Sequence, residues 1–113
     1  MIMEIVKFYV PADMTREDIL ASAKTTVPRW QSFDDLVRKH YFNGEDGLCG
    51  GVYIWKNRAA AEIGHDAEWQ KGVEERTGRL PEITYYDLMM VLDNEAGTIA
   101  DYPLDVPSPI AAE

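Results

Sequence analysis

The sequence predicts an α+β domain of ferredoxin-like type, with element order β-α-β-β-α-β and one antiparallel four-stranded sheet carrying both helices on a single face. Three observations predict it. Four runs, at 2–10, 36–42, 50–55 and 83–92, are β-branched and aromatic. Two of the gaps between them open with helix-start signals, and the third, 43–49, is a short Asn- and Gly-containing turn with room only for a hairpin.

The first run, Ile2 to Val10, is apolar on both faces. One parity carries Ile2, Val6, Phe8 and Val10, the other Met3, Ile5 and Tyr9, with Glu4 and Lys7 as exceptions. A helix then begins after Thr15, which caps it while Asp18 returns the bond and Met14 staples onto Ile19. Its buried stripe is Ile19, Leu20, Ala23 and Val27, and Pro28 ends it near Thr26. A connecting stretch with Trp30 and Phe33 leads to the hairpin strands. Asn57 caps a second helix whose stripe is Ala59, Ala60, Ile63 and Ala67, flanked by Trp69 and Val73, and Gly78 with Pro81 closes it. His65 projects nearly opposite Ile63 and reads as surface. The final run, Ile83 to Leu92, reads as one long strand. The domain thus spans 1–93, followed by an irregular tail, 94–113, with prolines at 103, 107 and 109, expected to lie across a partner subunit.

The 113 residues suit one domain, and a hydrophobic content of 46% supplies a core. A formal charge of −9 opposes nucleic acid and anionic membranes, which bind through Lys and Arg. No run approaches the ~20 apolar residues of a membrane span, and Met1 to Ile5 lacks a secretory n-region, so a cytoplasmic location is expected. The single cysteine, Cys49, has no internal disulfide partner and reads as an inert thiol.

With both helices on one face, the other apolar face stays uncovered. Burying a large side chain is worth roughly 1.5–3 kcal/mol, so about six left wet would forfeit on the order of 9–18 kcal/mol. That rivals the whole net stability of a domain, about 5–15 kcal/mol. A two-fold homodimer closing two sheets into an α/β barrel covers the face; the tail folding back over its own sheet is the alternative.

Lys39-His40-Tyr41-Phe42, Gly50-Gly51-Val52-Tyr53-Ile54-Trp55, the helix opening Asn57-Arg58-Ala59-Ala60-Ala61 and Pro81-Glu82-Ile83-Thr84-Tyr85-Tyr86 together resemble the YdhR-type monooxygenase family of the dimeric α/β-barrel superfamily, which also holds antibiotic-biosynthesis monooxygenases. The likeness spans roughly residues 1–94. It implies oxidation of a small aromatic or quinol-like molecule by O2 without metal, flavin or other cofactor. Non-catalytic binding of a small hydrophobic ligand, and haem binding or degradation, occur on the same scaffold.

Cofactor-free oxygenation needs an apolar pocket, a base to form the phenolate and donors to hold the anion. His40 is the one histidine on an expected strand, and imidazole titrates near neutrality, so it is the candidate base; an edge histidine bonded to a neighbour is the alternative. Trp30, Tyr41, Tyr53, Trp55 and Tyr85 are the candidate pocket walls, or else ordinary core. Tyr53 and Trp55 share a face, whereas Tyr85 and Tyr86 point oppositely. Arg38 shares the His40 face and could steady an anion, or stand as a solvated edge charge. Glu62-x-x-His65 lacks the second Glu-x-x-His of a di-iron site, and no zinc spacing or phosphate loop is present.

Overall fold

The computed structural model describes residues 1–105. Four strands, β1 (Ile2–Tyr9), β2 (Leu36–Asn43), β3 (Leu48–Trp55) and β4 (Glu82–Asp87), form one antiparallel sheet in the order β2-β3-β1-β4. The helices α1 (Arg16–Thr25), α2 (Val27–Gln31), α3 (Arg58–Gly64) and α4 (Ala67–Thr77) lie in the two crossovers. This is the expected ferredoxin-like architecture. No helix among the described residues is long and apolar enough to cross a membrane.

Local signals set most element ends. Thr15 and Asp18 form the reciprocal capping box at 3.1 and 3.0 Å, Asn57 caps α3 through Ala60 N–H, and Gly78 closes α4 at φ 85°. The hairpin turns through Gly47 at φ 82°. Gly50 lies under β1, where a Cβ would collide with the Val6 carbonyl oxygen. Cys49 is buried and its Sγ donates to Asn43 Oδ1 at 3.2 Å; burial pushes the thiol pKa up, in line with an inert role.

Several expectations need correction. Pro28 does end α1, but the connecting stretch holds a further short helix, α2, with that proline in its first turn. The second helix is two: α3 stops at Gly64, and Asp66, with extended backbone, caps α4 by accepting from Trp69 N–H at 2.9 Å. Its buried stripe is Ala61, Gly64 and His65, whereas Ile63 is 66% exposed and Ala59 also faces out. Volume explains this choice. The helix end settles on Trp55 and Trp30, and a Cβ at Gly64 would meet Trp55 Cη2 at 2.7 Å, so the smallest residues face the sheet and the bulky isoleucine turns away. His65 is therefore not on the surface: it is 2% exposed.

The last strand also divides. β4 ends at Asp87, and β5 (Met90–Asp93) leaves the sheet to pair with β6 (Thr98–Asp101) in a separate hairpin. The start of the expected irregular tail is thus regular; its part from 106 onward, with Pro107 and Pro109, lies outside the described residues. Leu88 N–H donates to Met1 C=O, and Tyr102 N–H to Met89 C=O, which hold the hairpin beside the start of β1.

Candidate functional site

The registers align Lys39 with Tyr53, Tyr53 with Glu4 and Glu4 with Tyr85, so one row of side chains crosses all four strands. Period-2 alternation puts this row on the helix-covered face, beside Ile2, Val6 and Trp55 of the core. Glu4 sits in the middle of that row with no exposed surface. The Trp55 indole Nε1–H donates to Glu4 Oε1 at 2.8 Å. Tyr53 and Trp55, two apart on β3, stack with rings 6.1 Å apart and 9° from parallel.

His65 descends onto the row from the joint between α3 and α4. Arg29 Nη2 donates to Gly64 C=O at 3.0 Å and Gln70 Nε2 to His65 C=O at 2.9 Å, which pins the break in the helix. His65 Nδ1 lies 2.8 Å from the same Glu4 Oε1 that Trp55 engages. It is a close approach rather than an aligned hydrogen bond, since neither ring nitrogen makes one among the described residues. The ring is walled by Tyr53, Trp69 and Trp30 at 4.4, 4.5 and 4.9 Å between centroids. Nε2 and Glu4 Oε2 are both buried without a partner among the described residues. An orphaned buried polar atom costs about 1–3 kcal/mol. A carboxylate behind one imidazole nitrogen with the other free is the arrangement of a general base.

The row is electrostatically perturbed along its length. Burial first, then the charge of Glu4, pushes the Tyr53 phenol far above its usual range and lifts Tyr85 to about 12. Arg58 Cζ lies 3.7 Å over the Tyr85 ring. At the other end, burial lowers Lys39 to about 7. Its ammonium sits over Tyr41, Tyr53 and Trp30 at 3.8, 4.6 and 4.7 Å, and those ring faces offset part of the cost of burying the charge.

Of the residues singled out from the sequence, Trp30, Tyr53 and Trp55 gather around His65, and Tyr85 flanks Glu4. Tyr41 joins through Lys39, its hydroxyl 2.9 Å from Thr26 Oγ1. His40 and Arg38 are not part of this layer. They point from the opposite sheet face into a groove of about 270 Å³, walled by Met3, Val52, Ile54 and Val91. A cleft of about 310 Å³ between Arg29, Asp66, Trp69 and Arg76 lies on the outer side of Trp69. No group of three or more His, Cys, Asp or Glu among the described residues is placed to hold a metal ion.

Sequence reasoning missed Glu4, Lys39 and His65. Glu4 was visible as the lone acid on an apolar parity, and Lys39 as the partner of Tyr41 on alternate positions of β2. His65 carried no such mark, because its burial depends on where the helix breaks.

No family model matches the chain, and no curated protein does. Solved structures do. One is an antibiotic biosynthesis monooxygenase, at 13% identity over 79% of this chain and 99% of that one, with a TM-score of 0.59. Another is the monooxygenase from the gene ActVA-Orf6 of Streptomyces coelicolor, solved with Nanaomycin D, at 18% identity over 75% and 84%, TM-score 0.58. A third is Rv0793 from Mycobacterium tuberculosis, at 16% identity over 95% and 98%, TM-score 0.57. At such identities the likeness speaks for the fold: this chain has the ferredoxin-like α+β fold of the antibiotic biosynthesis monooxygenases.

Proposed function

We propose that the chain is a cofactor-independent monooxygenase of YdhR type, which oxidises a small phenolic or quinol-like aromatic molecule with O2 as a homodimer. His65 carries this reading: a buried imidazole backed by Glu4, its Nε2 free, between aromatic walls. The substrate approaches from the cleft beside Trp69, whose ring lies 4.5 Å from that of His65. His65 Nε2 takes the phenolic or benzylic proton, and Glu4 stabilises the imidazolium that forms. The electron-rich anion then reacts with O2 directly; for an anthrone, one oxygen atom becomes the new ring carbonyl and the other leaves as water. Fold similarity to monooxygenases supports the reaction class without identifying the substrate.

Oxygen uptake with a panel of anthrones and hydroquinones tests it. His65→Gln, checked for native circular dichroism, should lower the rate by about 10²–10⁴-fold. Uptake equal in parent and variant removes His65 as base. Tryptophan quenching by the panel with no turnover favours the ligand-binding reading instead.

A second location is favoured by the groove holding His40 and Arg38, the only nonaliphatic groups besides Tyr102 among its lining residues. In the dimer that groove closes against the partner's sheet, with His40 as base and Arg38 holding the anion. His40→Ala against His65→Gln decides between the two sites. The dimer itself rests on the apolar open face, with Tyr86 46% exposed, and on hairpin residues Met90, Leu92 and Ile99, at 57%, 61% and 69% exposure. Light scattering should give twice the 12.8 kDa chain mass, and a monomer would overturn it.

A further inference from the structure

Strand β2 changes face partway along. Leu36 pairs with Trp55 but Arg38 with Ile54, so two steps on β2 match one on β3, which makes a bulge at Val37. Leu36 packs on the helix-covered core with Trp55, whereas Ile54 points to the other face. Without the extra residue Arg38 would follow Leu36 into that core. With it, the guanidinium turns onto the open face beside His40, about 7 Å further along the strand. There both border the groove of about 270 Å³. Its floor is Met3, Val52 and Ile54, and a further wall is Leu88 and Val91, held by the backbone bonds from Leu88 to Met1 and from Tyr102 to Met89. No Asp or Glu among the described residues lines it, in a chain of net charge −9. Its polar groups are Arg38, which can only donate, and His40 and Tyr102, which each carry a donor hydrogen.

We infer that this groove binds a small apolar monocarboxylate, its carboxylate forked onto Arg38 beside the His40 ring and its hydrocarbon body laid over Met3, Val52 and Ile54. Charge and donor complementarity select the head. A planar guanidinium takes a carboxylate through two parallel N–H···O bonds, and no carboxylate of the groove's own competes for it. The apolar floor selects the body, and the volume limits it to a single ring or a short chain, since drug-sized ligands fill about 300–1,000 Å³. Two copies facing each other across this sheet enclose the ligand between them. The groove lies on the sheet face opposite Glu4 and His65, so the inference stands apart from their role. At the second location considered above, the same carboxylate competes with a phenolate for Arg38.

Titration calorimetry of the full chain with octanoate and phenylacetate, against octanamide as the uncharged counterpart, tests it. Octanoate should bind at least about tenfold tighter than octanamide, the size of one charge-assisted hydrogen bond. Arg38→Gln, at an exposed position outside the core, should remove that preference and weaken phenylacetate alike. Arg38→Lys, which keeps the charge without the fork, should retain part of it. Amide NMR shifts on adding octanoate should gather at β2, β3 and the β5–β6 hairpin. Equal affinity for octanoate and octanamide, a preference unchanged in Arg38→Gln, or shifts gathered around Trp69 instead overturns the inference. So does an affinity that falls as protein concentration rises, which marks a second copy filling the groove in place of the ligand. Binding needs neither oxygen nor a base, so its failure and that of the monooxygenase reading are separate results.

Discussion

Removing the Glu4 carboxylate is the most searching perturbation of the site. Glu4→Leu leaves the Trp55 indole N–H without its 2.8 Å acceptor and strips His65 of its neighbouring carboxylate, both in a layer closed to water. Breaking a buried pair from one side costs about 3–5 kcal/mol. That is a fifth or more of a typical domain stability of about 5–15 kcal/mol. Glu4→Gln keeps an acceptor for the indole and loses only the charge, so it should cost less, about 1–2 kcal/mol. Replacing both partners, Glu4→Leu with His65→Leu, leaves no half of the pair stranded. Its cost should fall below the sum of the single changes by about 1–3 kcal/mol. Urea denaturation measures all five proteins, the parent, Glu4→Leu, Glu4→Gln, His65→Leu and the double variant, at one fixed concentration because dimer assembly would couple to folding. Single variants each within 1 kcal/mol of the parent, or strictly additive effects, would refute a coupled buried pair.

Lys39→Met should stabilise the chain below neutral pH and lose its advantage as pH rises. The folded-state pKa, about 7, lies below the ordinary 10.5, so the unfolded chain holds the proton more tightly and the folded state bears a penalty that is complete below pH 7 and relieved between 7 and 10.5. Urea midpoints should show a gap on the order of 1–2 kcal/mol at pH 6 that shrinks by pH 10, and a widening gap contradicts the sign. Gly64→Ala drives a Cβ to within 2.7 and 2.9 Å of Trp55 Cη2 and Cζ2. It should cost about 1–3 kcal/mol, read as a lower melting temperature and altered tryptophan emission. Thr15→Ala removes one half of the capping box and should cost about 1 kcal/mol, leaving the Glu4 site and its fluorescence unchanged.

Alternation along a strand is a local property, set by the pleat, and it survives any tertiary context that keeps the strand. That is why the four sheet strands, the hairpin and the shared face of Tyr53 and Trp55 could be read directly from residue order. Capping is equally local, so the starts of α1 and α3 at Thr15 and Asn57 were legible. The same pattern already isolated Glu4 among Ile2, Val6 and Phe8, although nothing local said that a histidine and an indole would meet it.

Tertiary packing alone decided the rest. A continuous helical pattern through 57–78 favours burying Ile63, yet the space above Trp55 admits only Ala61 and Gly64, so shape complementarity overrode hydrophobicity and turned His65 inward. Such a fit depends on side chains outside the helix, Trp55 and Trp30 among them, and no periodicity within the helix encodes it. The site followed the same rule: the sequence determined which residues share a face, while the break at His65 determined that this histidine joins the face of Glu4.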